Sequence, residues 1–262
     1  FYAVRAQLAE PADAARAGAD LERAATLEPD EWRIGRLLVE RALADDRPVD
    51  AERIAARYRA RTPGNYIIGM LHARTLLRAT RFAEALNVLR GLNVLPYEGS
   101  TDGRALYREA NLMLAVQALA NGRTAEAERA IAAAREWPRN LGAGKPYPDD
   151  VDERLEDWLL ASSLDLRGAG ADAKAARERV VAAKAPASLV GSLMRVLALA
   201  SLGREAPARQ AMQELRERDA SLAAWAEQRV SGARAQPPGV GVATDEARVF
   251  AAAIGVVGPR AR

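Results

Sequence analysis

The sequence predicts an all-α fold, a right-handed α-solenoid of about six helical hairpins with essentially no sheet. Three observations predict it. Proline recurs at a fixed interval, because Pro29, Pro63 and Pro96 lie 34 and 33 residues apart. Ala and Arg dominate the composition, which favours helix over strand. Between the prolines, apolar residues recur three to four positions apart, which is the periodicity of amphipathic helices.

The spacing of the prolines also predicts the type of hairpin, since 34 residues is the period of tetratricopeptide repeats. Repeats of this kind bury their apolar faces only against neighbouring repeats, so we expect mostly local contacts. We expect the first helix of each pair to line a concave side. Residues 1–231 are predicted to form the repeat domain, and residues 232–262 to form a C-terminal linker or capping segment.

The first two hairpins differ in regularity. Residues 2–10 and 13–28 predict an irregular first hairpin, because Pro11 cannot lie in a helix interior. In the second hairpin Asp30 is expected to cap a helix that Trp32 opens. The sequence therefore predicts a capping or incomplete repeat followed by a regular one.

The second helices of the later hairpins share a stripe of small and apolar residues, which is expected to pack on the first helix. The alanines in these stripes allow the two helices to approach closely. The predicted stripes are Ala51, Ala55 and Tyr58; Ala85, Leu89 and Leu92; Ala127, Ile131 and Ala134; Ala176, Val180 and Ala183; and Ala208, Met212 and Leu215.

Two junctions between hairpins, residues 96–104 and 137–152, are longer than the repeat requires. Each follows a second helix and precedes a first helix, so both are expected to project from the same edge of the solenoid. Loops of this length in a compact repeat are usually functional or disordered, and the aromatic residues in these two favour order. Asp102 is expected to be the N-cap of a helix beginning near Arg104. The predicted binding residues of this edge are Tyr97, Glu98, Asp102, Trp137, Arg139, Asn140, Lys145, Tyr147 and Asp149.

A second candidate binding surface is the concave groove. Polar residues on the predicted first helices could hold the carboxylates of a peptide or an anionic saccharide through bidentate hydrogen bonds. A solvated helix face is the simpler alternative. The candidates are Arg33, Arg36, His72, Arg108 and Asn111.

Composition excludes several classes of function. The chain has no Cys and a single His, so we expect no disulfide, no thiol nucleophile, no metal site and no cofactor. The formal net charge is only +3 and basic residues alternate with acids, which argues against a nucleic-acid partner. No apolar window is long enough to span a membrane. We expect a soluble chain, with a cytoplasmic location favoured, and interpret the start at Phe1 as an excised or processed piece of a longer protein.

Six acidic residues surround the start of one predicted helix: Asp149, Asp150, Asp152, Glu153, Glu156 and Asp157. Two carboxylates roughly 5 to 10 Å apart could serve glycoside hydrolysis. Acids in a first turn also complement the helix dipole and cap free N–H groups, and we favour this structural role. We therefore expect the chain by itself to be non-catalytic.

Two segments resemble a known family and read LPYEGSTDGRALYREANLMLA and REWPRNLGAGKPYPDDVDERLEDWLL. They are similar to the tail of large bacterial proteins in which tetratricopeptide-like repeats follow a β-rich domain. That β-rich domain, of unknown function, is itself similar to mutarotase and glycoside-hydrolase domains. The resemblance covers roughly residues 20–205 and implies a carbohydrate-related parent protein whose β-rich part is absent from this chain.

Three hypotheses remain open at this point. The chain is expected to be a scaffold for protein–protein or interdomain contacts, with the β-rich domain of the same parent protein or another protein as partner. Alternatively, it is a free-standing peptide-binding module with an Arg-lined groove. A third possibility is that it supplies carboxylates from the 137–152 loop to a glycoside-processing site, and a saccharide is then a further candidate partner.

Overall fold

The computed structural model describes residues 1–9, 13–96, 101–232 and 244–254. These residues contain fourteen α-helices and no strand, so the predicted all-α class is confirmed. The helices are α1 (Tyr2–Gln7), α2 (Ala14–Leu27), α3 (Trp32–Ala44), α4 (Pro48–Arg61), α5 (Tyr66–Arg78), α6 (Phe82–Arg90), α7 (Asp102–Ala120), α8 (Thr124–Ala134), α9 (Arg154–Leu166), α10 (Gly170–Ala182), α11 (Leu189–Ser201), α12 (Glu205–Arg218), α13 (Ala220–Val230) and α14 (Asp245–Ile254). Two short 3-10 helices, Arg139–Leu141 and Pro148–Asp150, lie between α8 and α9.

The chain divides into two compact units. Unit 1 comprises Phe1–Ala110 and Pro138–Gly144, and unit 2 comprises Asn111–Trp137 and Lys145–Arg262. In unit 1 each helix from α1 to α5 packs on the next one, and α3 also packs on α5. In unit 2 each helix from α8 to α12 packs on the next one, while α11 packs on both α9 and α13. Contacts within each unit are therefore mostly between neighbouring elements.

The apolar stripes lie in the core, as their spacing predicts. Ala51, Ala55 and Tyr58 of α4 are fully buried, and Ala85 and Leu89 of α6 are equally inaccessible. The stripe on α8 is buried in the same way. The fit is poorer at the ends of two later stripes, where Ala183 and Ala208 are only partly buried.

Five hairpin turns share one backbone geometry. After the first helix, one residue has a positive φ, and the next residue donates its N–H to a carbonyl five positions earlier at 2.8 to 3.0 Å. This is the hydrogen-bond pattern of a Schellman motif. The positive-φ residues are Asp46, Thr80, Gly122, Gly168 and Gly203. Two of these turns thus place a non-glycine residue where glycine is favoured.

Three glycines in unit 1 lie on first helices at an interval of 34 residues, Gly35, Gly69 and Gly103. A Cβ at Gly35 would meet the ring of Tyr58, and a Cβ at Gly69 would meet Leu92. These two contact residues are themselves 34 positions apart. The same glycine contact therefore occurs in two successive hairpins.

Two predicted helix caps were wrong. Helix α3 begins at Trp32, but its N-cap is Glu31, whose carboxylate accepts a hydrogen bond from the Arg33 N–H at 3.0 Å. Asp102 does not precede its helix but is the first residue of α7, where its charge complements the helix dipole. In both cases the error is one or two residues. Among the described helices, none is both long and apolar enough to cross a bilayer.

Candidate functional site

A groove lined by arginines lies between α2, α3 and α4 in unit 1, with a volume of about 420 Å³. Helix α2 contributes small and polar residues, including Glu22, and α3 contributes Leu38 and Arg41. Helix α4 contributes one continuous face, because Asp50, Arg53, Ile54, Arg57 and Arg61 follow each other at helical spacing. The arginine groove, as we name it, is lined by Arg41, Arg47, Arg53, Arg57 and Arg61 together with these α2 and α3 residues.

The charge of the arginine groove is positive. Five arginines and the two carboxylates of Glu22 and Asp50 line it. Once Asp45 and Asp30, which pair with Arg47 and Arg61 at its margin, are also counted, one net positive charge remains. The arginine groove is thus rich in guanidinium groups and carries a small excess of positive charge.

Ion pairs hold part of the arginine groove in place. Arg47 lies 2.9 Å from Asp45 and 3.3 Å from Asp50, and Arg53 lies 3.1 Å from Asp50. Hydrogen bonds from Arg53 and then Arg47 lower the pKa of the Asp50 carboxyl below its ordinary value. Arg61 lies 3.3 Å from Asp30 at the end of the groove. Asp50 therefore orients two of the guanidinium groups.

Arg57 is the arginine in this groove best placed to bind a ligand. Its side chain is exposed, and its guanidinium lies 5.0 Å from the ring centroid of Tyr58. It makes no ion pair with any residue that the structure describes. Because a guanidinium over a ring keeps its planar edge free, Arg57 can donate two parallel hydrogen bonds to a carboxylate.

The arginines predicted for a concave groove do not line this one. Arg33 is exposed, pairs with Glu31 at 3.1 Å and lies 4.8 Å from the ring centroid of Trp32. Arg36 pairs with Glu40 on its own helix at 3.1 Å. In the structure Arg108 is half-buried and Asn111 is buried.

His72, the only histidine of the chain, is buried between α5 and α4. Its Nε2 lies 3.2 Å from Glu52, which also pairs with Arg81 at 3.1 Å. Burial lowers the pKa of His72 below its ordinary value, although the hydrogen bond to Glu52 acts in the opposite direction. Its contacts join helices of unit 1.

The predicted loop edge is partly described within unit 1. Tyr97 and Glu98 lie outside the described residues, Asp102 is exposed at the start of α7, and Arg139 is exposed. The side-chain amide of Asn140 donates to the carbonyl oxygens of Leu89 and Leu92, both at 3.0 Å. Since these carbonyls lie at the C-terminal end of α6, Asn140 closes that helix end.

The remainder of the predicted edge belongs to unit 2. Trp137 is half-buried, Lys145 is exposed, and Tyr147 is 82% exposed between two prolines. Asp149 pairs with Lys184 at 2.9 Å. Tyr147 is thus the member of this group with the most aromatic surface open to a partner.

The acidic residues near the start of α9 are largely paired with arginines. Asp157 lies 2.8 Å from both Arg135 and Arg179, and Asp152 lies 3.0 Å from Arg154. Burial raises the pKa of Glu153, although the charge of Arg135 acts against this shift. No group of three or more metal-ligating side chains is found among the described residues. These contacts are those expected of acids that stabilise a helix start.

Comparison with known proteins identifies no family. No protein-family model matches the chain, and no curated protein matches it either. A function for the chain therefore has to follow from the contacts described above. Among them, the arginine groove combines concavity, excess charge and an exposed guanidinium.

The sequence contained the signal for this groove. Arg53, Arg57 and Arg61 recur every four residues, which places them on one face of α4. The spacing does not reveal that α2 lies beside this face and forms the second wall. Sequence spacing alone therefore does not distinguish the α4 face from the arginine-bearing faces of the first helices.

Proposed function

We propose that the chain is a non-catalytic helical-repeat module whose arginine groove binds an acidic segment of a partner protein. The observation that carries the proposal is the arginine groove, in which five guanidinium groups converge on one concave surface and that of Arg57 is exposed. An extended or helical peptide with paired Asp or Glu residues matches this surface in charge. Charge-assisted hydrogen bonds to Arg57 and Arg53 would fix its register.

We further propose that each unit is a stack of tetratricopeptide-like hairpins. Three features support this architecture. Helices α1 to α6 and α8 to α13 pack in sequence order, first helices pack on each other, and five turns share one hydrogen-bond pattern. The glycine contacts with Tyr58 and Leu92 add an interval of 34 residues. A right-handed superhelical sense is part of this proposal and follows from the usual stacking of such hairpins.

Binding to the arginine groove can be measured by fluorescence anisotropy. The probe is a labelled peptide of alternating Glu and Leu, and the control probe carries Gln in place of Glu. Arg57→Glu is expected to weaken binding of the acidic probe about tenfold or more, which corresponds to about 1.4 kcal/mol. Binding should also weaken as salt is added, because the contacts are partly exposed.

The matched control is Arg74→Glu, which makes the same charge change at an exposed position of the first helix α5. We expect it to change affinity less than about twofold, because long-range surface charge effects are screened. Equal losses in both variants would mean that the probe senses only net charge. If only Arg33→Glu weakened probe binding, the peptide site would lie on the first helices and not in the arginine groove. If the anisotropy never reached saturation, the chain would not bind the acidic peptide and the proposal would be wrong.

A second candidate function is contact with the β-rich domain of a carbohydrate-related parent protein. The observation that favours it is the 82% exposed ring of Tyr147, which lies beside Pro146 and Pro148. Exposed aromatic residues are enriched in interfaces. In the intact parent protein Tyr147→Ala should increase proteolysis at the junction between the two parts. An unchanged cleavage pattern would argue against this contact.

Contribution of carboxylates to a glycoside-processing site is less well supported. Asp149 is paired with Lys184, and Asp157 lies between two arginines. These carboxylates are therefore already engaged in ion pairs within the chain. Asp149→Asn together with Asp150→Asn, made in the intact parent protein, should leave its turnover unchanged. A large loss of turnover would instead favour a catalytic role.

A further inference from the structure

The floor of the arginine groove is apolar. Leu38 of α3 and Ile54 of α4 line the groove, and both side chains are half-buried. On their inner side they pack against the core cluster that contains Tyr58. Because the core supports these two side chains from below, they present a firm aliphatic surface to whatever enters the groove.

The wall that α2 contributes contains small residues, which keep the space above this floor open. Gly18 and Ala25 both line the groove. A Cβ at Gly18 would lie 3.2 Å from the central carbon of the Arg41 guanidinium, so glycine leaves room for that cation. Ala25 is half-buried and adds only a methyl group. The resulting volume of about 420 Å³ lies within the range of ligand-binding clefts.

Charged and aliphatic groups are close neighbours on the α4 face of the groove. Ile54 follows Arg53 directly and precedes Arg57 by three positions. Side chains three positions apart on a helix have Cβ atoms about 5–6 Å apart. Because consecutive Cα atoms are about 3.8 Å apart, a ligand residue that rests on Ile54 lies one or two positions from a residue that reaches Arg57. An apolar centre with a charged rim is also the usual arrangement of a protein interface.

We infer that the arginine groove selects acidic segments in which an aliphatic residue stands one or two positions from an acid, and that Leu38 and Ile54 determine this specificity. The inference rests on the proposed function and adds the apolar half of the ligand to it. The acid is complementary in charge to the guanidinium of Arg57, and the aliphatic side chain covers the surface that Leu38 and Ile54 leave open. A segment of acids without the aliphatic residue makes only the first of these contacts and binds more weakly.

Two labelled acidic peptides test the requirement for the aliphatic residue, with the full chain as the receptor. The first is the peptide of alternating Glu and Leu, and the second has Ala in place of each Leu. By fluorescence anisotropy the Glu and Leu peptide should bind about tenfold tighter or more, because one methylene in an apolar contact is already worth about that factor. Equal affinities would overturn the inference and leave the proposed function standing. If neither peptide reached saturation, the proposed function would fail, and the inference with it.

Ile54→Ala tests whether the leucine contacts the floor of the groove. It should weaken binding of the Glu and Leu peptide roughly fivefold and binding of the Glu and Ala peptide less than about twofold, because the lost contact involves the leucine. The matched control is Val49→Ala on the same helix, since Val49 is 74% exposed and lies outside the groove. This control should bind both peptides as the wild type does. An equal loss for both peptides in Ile54→Ala would overturn the inference, because the substitution would then act on α4 itself.

Ala25→Leu tests the same contact without removing any atom from the core. Leucine is a good helix former, and its larger side chain fills the groove from the α2 wall. Binding of the Glu and Leu peptide should weaken at least as much as in Ile54→Ala, while the far-UV circular dichroism and the binding of the Glu and Ala peptide stay unchanged. Undiminished binding of the Glu and Leu peptide by this variant would place the leucine outside the groove and overturn the inference.

Discussion

Gly35 of α3 faces the ring of Tyr58 so closely that it leaves no room for a side chain. A Cβ at this position would lie 2.6 Å from both Cδ atoms of Tyr58 and closer still to Cγ. The Tyr58 side chain is 0% exposed. Gly35→Ala is therefore expected to force the ring, or the whole of α4, away from α3.

The size of the effect follows from two opposing contributions. Overpacking a filled core costs about 1–3 kcal/mol, and a rigid ring places this site at the upper end. Alanine in place of glycine within a helix recovers about 1 kcal/mol. The net expectation is a loss of about 2 kcal/mol in the free energy of unfolding.

Urea unfolding followed by far-UV circular dichroism measures this loss, and hydrogen exchange in residues 32–61 assigns it to α3 and α4. Gly69→Ala is the comparison, since its Cβ would meet the terminal methyl groups of Leu92, which can rotate away. It should cost no more than about 1 kcal/mol. In a Tyr58→Ala background the cost of Gly35→Ala should disappear, because the overlapping ring atoms are gone.

Gly35→Ala with a stability equal to or above that of the wild type would refute the argument. So would a cost that persists unchanged in the Tyr58→Ala background. In the first case the two helices are not held at this distance in solution. In the second case the cost arises from something other than contact with the ring.

Three further predictions concern single residues. The imidazole of His72 should titrate by NMR with a pKa below the ordinary value of 6.5. The free energy of unfolding should therefore decrease as the pH drops from 6.5 through the folded-state pKa, because the unfolded chain binds the proton more readily. A titration midpoint at or above 6.5 would contradict this. The folded-state pKa of Glu153 is raised above 4.5, so the free energy of unfolding should decrease as the pH rises through that pKa. In urea unfolding measured from about pH 4 upwards, Glu153→Gln should make this decrease smaller. A pH profile of stability equal to that of the wild type would speak against the raised pKa. Thr80 has a φ of 59°, a left-handed conformation that strains a threonine. In calorimetry, Thr80→Gly should raise Tm by about 2 to 4 °C for a gain of about 1 kcal/mol, whereas Gly122→Ala at an equivalent turn should lower Tm. A lower Tm for Thr80→Gly would show that the conformation of Thr80 is not strained.

The helices and their buried faces could be predicted because they depend on local spacing. Ala51, Ala55 and Tyr58 recur at the helical period, and a helix with this pattern has one face to bury. Helix ends are harder to predict, because Asp30 is the favoured N-cap residue by type whereas Glu31 caps α3 in the structure. The positive φ of Thr80 was not predictable from its residue type, as threonine rarely adopts that conformation.

The candidate site could not be predicted because it depends on which helices lie side by side. Helical spacing assigns Arg53 and Arg57 to one face of α4, but only the position of α2 makes that face the wall of a groove. The role of Asn140 was also hidden, because its amide bonds to the carbonyl of Leu92, 48 residues earlier. No local pattern contains a contact of that separation. The interval shared by Gly35 and Gly69 was visible in the sequence, but its meaning required the position of Tyr58.

The hydrogen bonds from Asn140 to the end of α6 affect the order in which unit 1 can fold during synthesis. Unit 1 is interrupted in sequence, because Pro138–Gly144 belongs to it while Asn111–Trp137 does not. During vectorial synthesis α1 to α6 leave the ribosome before the segment that completes them has been translated. Water must solvate the carbonyls of Leu89 and Leu92 until then. In a nascent chain stalled before Pro138, these carbonyls at the end of α6 lack their hydrogen bonds from Asn140.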